Sequence, residues 1–318
     1  MTLNIHPQLA PFIAGAAQFP KVESVPVSTL RDLVRQATAF FPQVQLPIGA
    51  VSERTIAGPA GALRLRIYTP ATGTPAPVVV YFHGGGWVVG DLDTQDMICR
   101  GLCHGAQSVV VSVDYRLAPE HPFPAAPDDC WTATLWAAAH AEEIGGSPGL
   151  LAVAGDSAGA VLAAGVALRA REAGGPALCA QLLLYGSCNY PSQETASMRE
   201  LKDAPILSAS DIHFFWRLYL ADPEVSQHDP LASPARATSH AGLPPAFVQT
   251  AEIDPSRDDA ERYGQLLVAA GVPVLMRRYM GMVHGFVSWL GLIDGAGAAI
   301  DDAGDWLKAR FAAAAAER

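Results

Sequence analysis

From about residue 76 onward, short apolar runs alternate with longer stretches of helical pattern. The runs cover 77–82, 108–113, 150–154, 180–185, 246–251 and 272–279. Helical patterns fall near 92–104, 127–143, 157–172, 256–270 and 297–315. A strand that is apolar at every position is buried on both faces, so the alternation predicts a parallel sheet between two helix layers. Upstream the pattern differs. Segment 63–68 alternates apolar and polar residues until its last position, as a half-buried strand does, and 51–56 is its expected antiparallel partner across the turn at Gly58–Gly61. Residues 1–50 carry no strand signal before position 51. They read as amphipathic helix punctuated by Pro20, Pro26, Pro42 and Pro47, with a capped start at Ser28. Segment 187–225 interrupts the alternation. It is irregular at first and then holds an aromatic helix over 212–220, which is expected to sit above the carboxyl ends of the strands. The alanine run 312–316 reads as a helix end.

Composition narrows the picture. The chain of 318 residues suits an α/β domain with an insertion, and half of it is hydrophobic, so a large core is available. The 31 acidic residues outnumber the 21 basic ones, and a net charge of −10 repels phosphate backbones, which argues against nucleic acid as a partner. The first residues lack the basic and apolar regions of a signal peptide, and no apolar run is long enough to span a bilayer. Five cysteines, Cys99, Cys103, Cys130, Cys179 and Cys188, show no disulfide layout, so a reducing cytoplasm is expected. Cys99 and Cys103 share a helical face next to His104. Without a second ligand pair they read as buried thiols, and no metal is expected.

The chemistry concentrates at Gly155-Asp156-Ser157-Ala158-Gly159, between an apolar strand and an alanine-rich helix. Gly-x-Ser-x-Gly in that setting is a nucleophile elbow: a sharp turn lifts the serine hydroxyl above the sheet, and glycines are needed where strand and helix nearly touch. A serine needs a base, and among nine histidines His284 follows the last apolar strand, where the final member of such a triad falls. The acid is expected in 250–259. Asp254 ends a strand and precedes Pro255, and it is preferred over Asp258; Asp258 and Asp259 also suit a helix first turn, where a carboxylate favours the dipole. A fourth part is His83-Gly84-Gly85-Gly86-Trp87, directly after strand 77–82. Bare backbone N–H groups in such a loop suit an oxyanion, with the N–H of Ala158 adding a donor. No Gly-Lys-Ser/Thr follows to make it a phosphate loop.

In these motifs the sequence resembles the hormone-sensitive-lipase-like, HGGG-type branch of the α/β hydrolases, the bacterial family IV esterases. Further carriers are Asp114-Tyr115-Arg116-Leu117-Ala118-Pro119-Glu120, Leu243-Pro244-Pro245, Ile253-Asp254-Pro255-Ser256-Arg257-Asp258 and His284-Gly285-Phe286. The resemblance implies an α/β-hydrolase fold: a mostly parallel eight-stranded sheet, helices on both faces and a helical cap. It assigns the triad to Ser157, Asp254 and His284 and the oxyanion donors to Gly85, Gly86 and Ala158. It also makes 1–50 and 187–225 the cap, with 51–186 and 226–318 as the catalytic core. Ala160 and Ser256 depart from it, standing where relatives carry glycine and leucine.

The expected function is a serine carboxylesterase acting on short- to medium-chain acyl esters through an acyl-enzyme, without cofactor or metal. Trp87, Ile206, Phe215 and Phe286 are expected pocket walls, whereas Phe214 and Trp216 read as core. The stretch 115–120 is expected to brace the oxyanion loop. An amidase or formamidase on the same triad is the alternative. A non-enzymatic small-molecule receptor fits less well, because the receptor branch of the family lacks the histidine found here at His284. The sequence leaves the assembly open, with a homodimer as a candidate.

Overall fold

A computed structural model describes residues 3–41, 44–73, 75–191 and 195–318; Met1, Thr2, Pro42 and part of segment 187–225 lie outside the described residues. The strands are β1 (Ile48–Gly58), β2 (Gly61–Pro70), β3 (Ala76–Phe82), β4 (Val109–Val113), β5 (Gly146–Asp156), β6 (Ala180–Leu184), β7 (Ala246–Ile253) and β8 (Val274–Val283). The helices are α1 (Ala10–Ala16), α2 (Val27–Phe40), α3 (Asp96–Ala106), α4 (Ala125–Ala139), α5 (Ala158–Ala173), α6 (Ala196–Glu200), α7 (Ala209–Tyr219), α8 (Pro223–Ser226), α9 (Arg257–Ala269) and α10 (Asp294–Ala316). All eight strands form one sheet in the order β1-β2-β4-β3-β5-β6-β7-β8. Only β2 runs against the others.

The continuous apolar runs divide between two cores, as the period-2 geometry of a strand requires. Val78, Val80 and Phe82 of β3 face one layer with Cys130 and Ala133 of α4 and Val161 and Leu162 of α5. Val79 and Tyr81 face the other, with Ile98 and Cys99 of α3 and Ile300, Leu307 and Phe311 of α10. Cys99 and Cys103 are free and buried in this second layer, where burial raises both thiols, Cys103 to about 12. Among the described residues no helix is long and apolar enough to cross a membrane.

A third, small apolar cluster lies outside the sheet layers. Leu30 of α2, Val88, Val89, Ala118 and Phe214 of α7 make its centre, with Val27, Val34 and Phe215 against it. It ties the N-terminal segment to the 209–219 helix across the chain that follows the glycine loop.

Two local expectations are corrected. The helix expected to be capped at Ser28 starts one residue earlier, at Val27, with Pro26 at the N-cap and no side-chain cap bond. Proline's fixed φ, here −57°, already sets the entry geometry. The last strand does not stop at Tyr279. It continues to Val283 through a register shift against β7 between Ala251 and Ile253, with Gly281 at φ +72°. Such a bulge, here of two extra residues on β8, re-aims the strand end, which puts His284 directly on its tip.

Candidate active site

The elbow is strained as its sequence requires. Ser157 sits between β5 and α5 at φ 52° and ψ −121°, a positive-φ conformation costly for any residue with a Cβ. The residues two positions to either side, Gly155 and Gly159, must be glycine for steric reasons. A Cβ on Gly155 would collide with the backbone of Gly159, and one on Gly159 with the carbonyl of Phe82. The Ser157 N–H donates to Leu184 O at 2.8 Å, which fastens the turn to β6.

Three side chains from three strand ends meet here. Ser157 Oγ lies 2.8 Å from His284 Nε2, and His284 Nδ1 lies 2.7 Å from Asp254 Oδ2. Asp254 is fully buried and His284 nearly so. A carboxylate facing Nδ1 can only accept, so that nitrogen carries the proton and Nε2 is left to accept from the serine hydroxyl. The other Asp254 oxygen, Oδ1, accepts from the Ser256 backbone N–H at 2.8 Å and the Ser256 hydroxyl at 2.7 Å. Asp258, the competing acid, instead accepts from Ser197 N at 2.7 Å. Asp259 accepts from Ser187 Oγ at 2.5 Å and Asn189 N at 3.2 Å, and burial pushes its carboxyl up to about 6.

The glycine loop leaves the end of β3, the strand adjacent to β5. A side chain at Gly84 would strike the Asp156 carboxylate, one at Gly85 the Val89 backbone, and one at Gly86 the Phe215 ring. Asp156 fixes the loop from below: its Oδ1 accepts from Gly84 N at 2.7 Å and from Tyr81 OH at 2.5 Å. Burial raises the Asp156 carboxyl above its usual value, against the pull of those two donors. The His83 ring stacks on Tyr115 at 4.1 Å, and burial lowers its imidazole, favouring the neutral form. Tyr115 OH donates to His83 O at 2.7 Å, and Ala118 N donates to Trp87 O at 2.9 Å, so stretch 115–120 holds the loop at both ends. From the N-terminal segment, Arg31 donates to Val88 O at 2.8 Å and Ala118 O at 2.9 Å and forms an ion pair with Glu120.

Two expected pocket walls are core residues. Trp87 is buried, stacked on Tyr219 at 4.1 Å and edge-on to Trp216 at 4.6 Å. The loop chain turns through φ 60° at Trp87, and the ring packs against Trp216 and Tyr219 of α7. Phe286 is fully buried against Tyr185 and Tyr279 in the sheet layer. Phe215 stands over Gly86 and is only half-buried, and Ile206 is 37% exposed. Ala160 has a local explanation: its methyl occupies the space that a Cβ at Gly186 would need.

Residues without an expected role also matter. Asp156, Tyr81, Tyr219 and Arg31 all restrain the loop. A carboxylate at the end of an apolar strand was a readable signal, because buried charge requires partners. Arg31 gave none, since its partners are distant in sequence.

The fold and this arrangement define an α/β hydrolase. A family model described as alpha/beta hydrolase fold matches residues 79–288. The chain is 49% identical to the esterase LipI of Mycobacterium tuberculosis, over 84% of this chain and 82% of that protein. It is 44% identical to the carboxylesterase NlhH of the same species, over 84% and 87%. Among solved structures, a hyperthermophilic esterase from Pyrobaculum calidifontis superposes with a TM-score of 0.92 at 38% identity, covering 96% of this chain and 98% of that one. The chain belongs to the α/β-hydrolase fold family, in its hormone-sensitive-lipase-like branch.

Proposed function

We propose that the chain is a serine carboxylesterase with Ser157 as nucleophile. The hydrogen-bonded line from Ser157 through His284 to Asp254 carries this reading. Ser157 attacks an ester carbonyl as His284 takes its proton, and Asp254 holds the tautomer and offsets the imidazolium charge. The backbone N–H groups of Gly85, Gly86 and Ala158 receive the developing oxyanion. His284 protonates the departing alcohol, and water then hydrolyses the acyl-enzyme by the same path.

Residues 1–50 and 187–225 act as a cap over the core of 51–186 and 226–318. The apolar cluster of Leu30, Val88 and Phe214 supports that division. Phe215 and Ile206 are the walls that meet the substrate, and Phe215 over Gly86 favours short to medium acyl chains. The partner is a small ester, not nucleic acid. Five free cysteines support a cytoplasmic setting. The edge strand β8, with Leu275, Met276 and Met280 exposed, is where a homodimer would form.

The test is hydrolysis of p-nitrophenyl esters of increasing acyl length, beside matched anilides, with Ser157→Ala as blank. Turnover of acetate should vanish in the variant while the fold persists. Near wild-type turnover there would overturn the assignment, and faster anilide cleavage would make the chain an amidase.

A further inference from the structure

Asp254 reaches His284 with only one of its two oxygens. The other, Oδ1, takes two hydrogen bonds, and both come from Ser256. They differ in kind. The backbone bond closes a local turn in which an aspartate accepts from the N–H two residues on. Pro255 lies between and has no N–H to compete, and the bond is open to any residue but proline at 256. The bond from Oγ, at 2.7 Å, needs a hydroxyl. Ser256 is 2% exposed and Asp254 is wholly buried, so that donor acts out of reach of bulk solvent.

We propose that the Ser256 hydroxyl is a positioning residue for the catalytic acid. It fixes the plane of the Asp254 carboxylate and draws part of its negative charge towards Oδ1. Two donors on Oδ1 stop the carboxylate rotating, so Oδ2 stays aimed at His284 Nδ1. The charge left on Oδ2 sets how strongly the protonated imidazole is held. The other groups facing the imidazole are the Ser157 hydroxyl and the Tyr185 ring, with the Asp156 carboxylate close enough to sense its charge. Among the described residues none of these hydrogen-bonds to Oδ1, whereas Ser256 does so twice. The inference rests on Ser157, His284 and Asp254 forming the triad.

The experiment compares wild type, Ser256→Ala, Ser256→Thr and Ser157→Ala on p-nitrophenyl acetate across pH 5–9 (a range chosen to bracket ordinary imidazole titration). Ser256→Ala should fold and keep KM, with kcat lower by about tenfold, the worth of a hydrogen bond to a charged group. Its acid-side fall in kcat/KM should move to higher pH by about half a unit, because an undiluted carboxylate favours the imidazolium. Ser256→Thr, which keeps the hydroxyl, should restore the wild-type profile. Where threonine's methyl prevents folding, the pH profile of Ser256→Ala alone decides. An unmoved acid limb overturns the proposal, whether kcat is unchanged or has merely fallen with Tm, as does a shift to lower pH. Activity surviving in Ser157→Ala instead overturns the triad on which the inference stands.

Discussion

The floor and the roof of the site are built on different principles. In the floor, at the strand ends, Ser157, Asp156, Asp254 and His83 each have named hydrogen-bond partners, and Asp254 and His83 are wholly buried. In the roof, the cap proposed above, the side chains of α2 and α7 beside the glycine loop are mainly apolar, joined by the polar Arg31. They pack as one small cluster, and Ile206 remains exposed. Hydrogen bonds demand particular atoms at particular distances, whereas apolar contacts demand only volume. The floor is therefore suited to hold one reaction geometry, whereas the proposed cap tolerates exchange among apolar residues of similar volume.

The sharpest challenge to that contrast is Asp156→Ala. It strands the Gly84 N–H and the Tyr81 hydroxyl in a buried place and frees the glycine loop. Turnover should fall by roughly 10²–10³-fold, the usual cost of a misplaced oxyanion donor, with circular dichroism unchanged. A loss under tenfold would show that the loop does not depend on the floor.

Next in size is the joint between floor and roof. Asp259 receives Ser187 and Asn189, polar contacts of the chain as it enters the insertion after β6. Burial raises its carboxyl to about 6 from the ordinary 3.8. The folded state therefore binds this proton more tightly than the unfolded chain, and stability from this group is full below about pH 4 and lost as pH rises to 6. Urea unfolding of wild type and Asp259→Asn should diverge over that window, the variant gaining by about 3 kcal/mol relative to wild type. A difference that does not change with pH would remove Asp259 as a charged joint.

The mildest test lies in the roof. Phe215→Ala should leave acetate turnover within about threefold and raise kcat/KM for longer acyl chains by roughly tenfold, the scale of one or two methylenes in an apolar pocket. An equal change for every chain length would place Phe215 with the floor.

The same contrast explains what the sequence disclosed. Apolar runs and helical periods mark the sheet and its two helix layers, because burial on both faces leaves a compositional trace over many residues. Ser157, Asp254 and His284 stood out because each sits at a strand end with glycine or proline within two residues. Trp87 was misread as a wall because its direction depends on one φ of +60°, and a tripeptide does not reveal which way its backbone turns. Arg31 was invisible, since its acceptors Val88 O and Ala118 O are backbone atoms that carry no residue identity and its side-chain partner Glu120 is far along the chain.

The pairing of Phe82 with Gly155 between the adjacent strands β3 and β5 has a consequence for how such a site can evolve. One residue past that rung begins the glycine loop, and two residues past it stands Ser157. Their separation is thus reckoned from a ladder whose strands lie about 4.8 Å apart. A ladder moves only in whole rungs, and a slip of one rung turns every side chain of the strand to the opposite face. The span between attacking oxygen and oxyanion donors is consequently inherited as a discrete unit. Point mutations can abolish it, but they have no path for stretching it gradually to suit a reacting centre with longer bonds than a carbonyl.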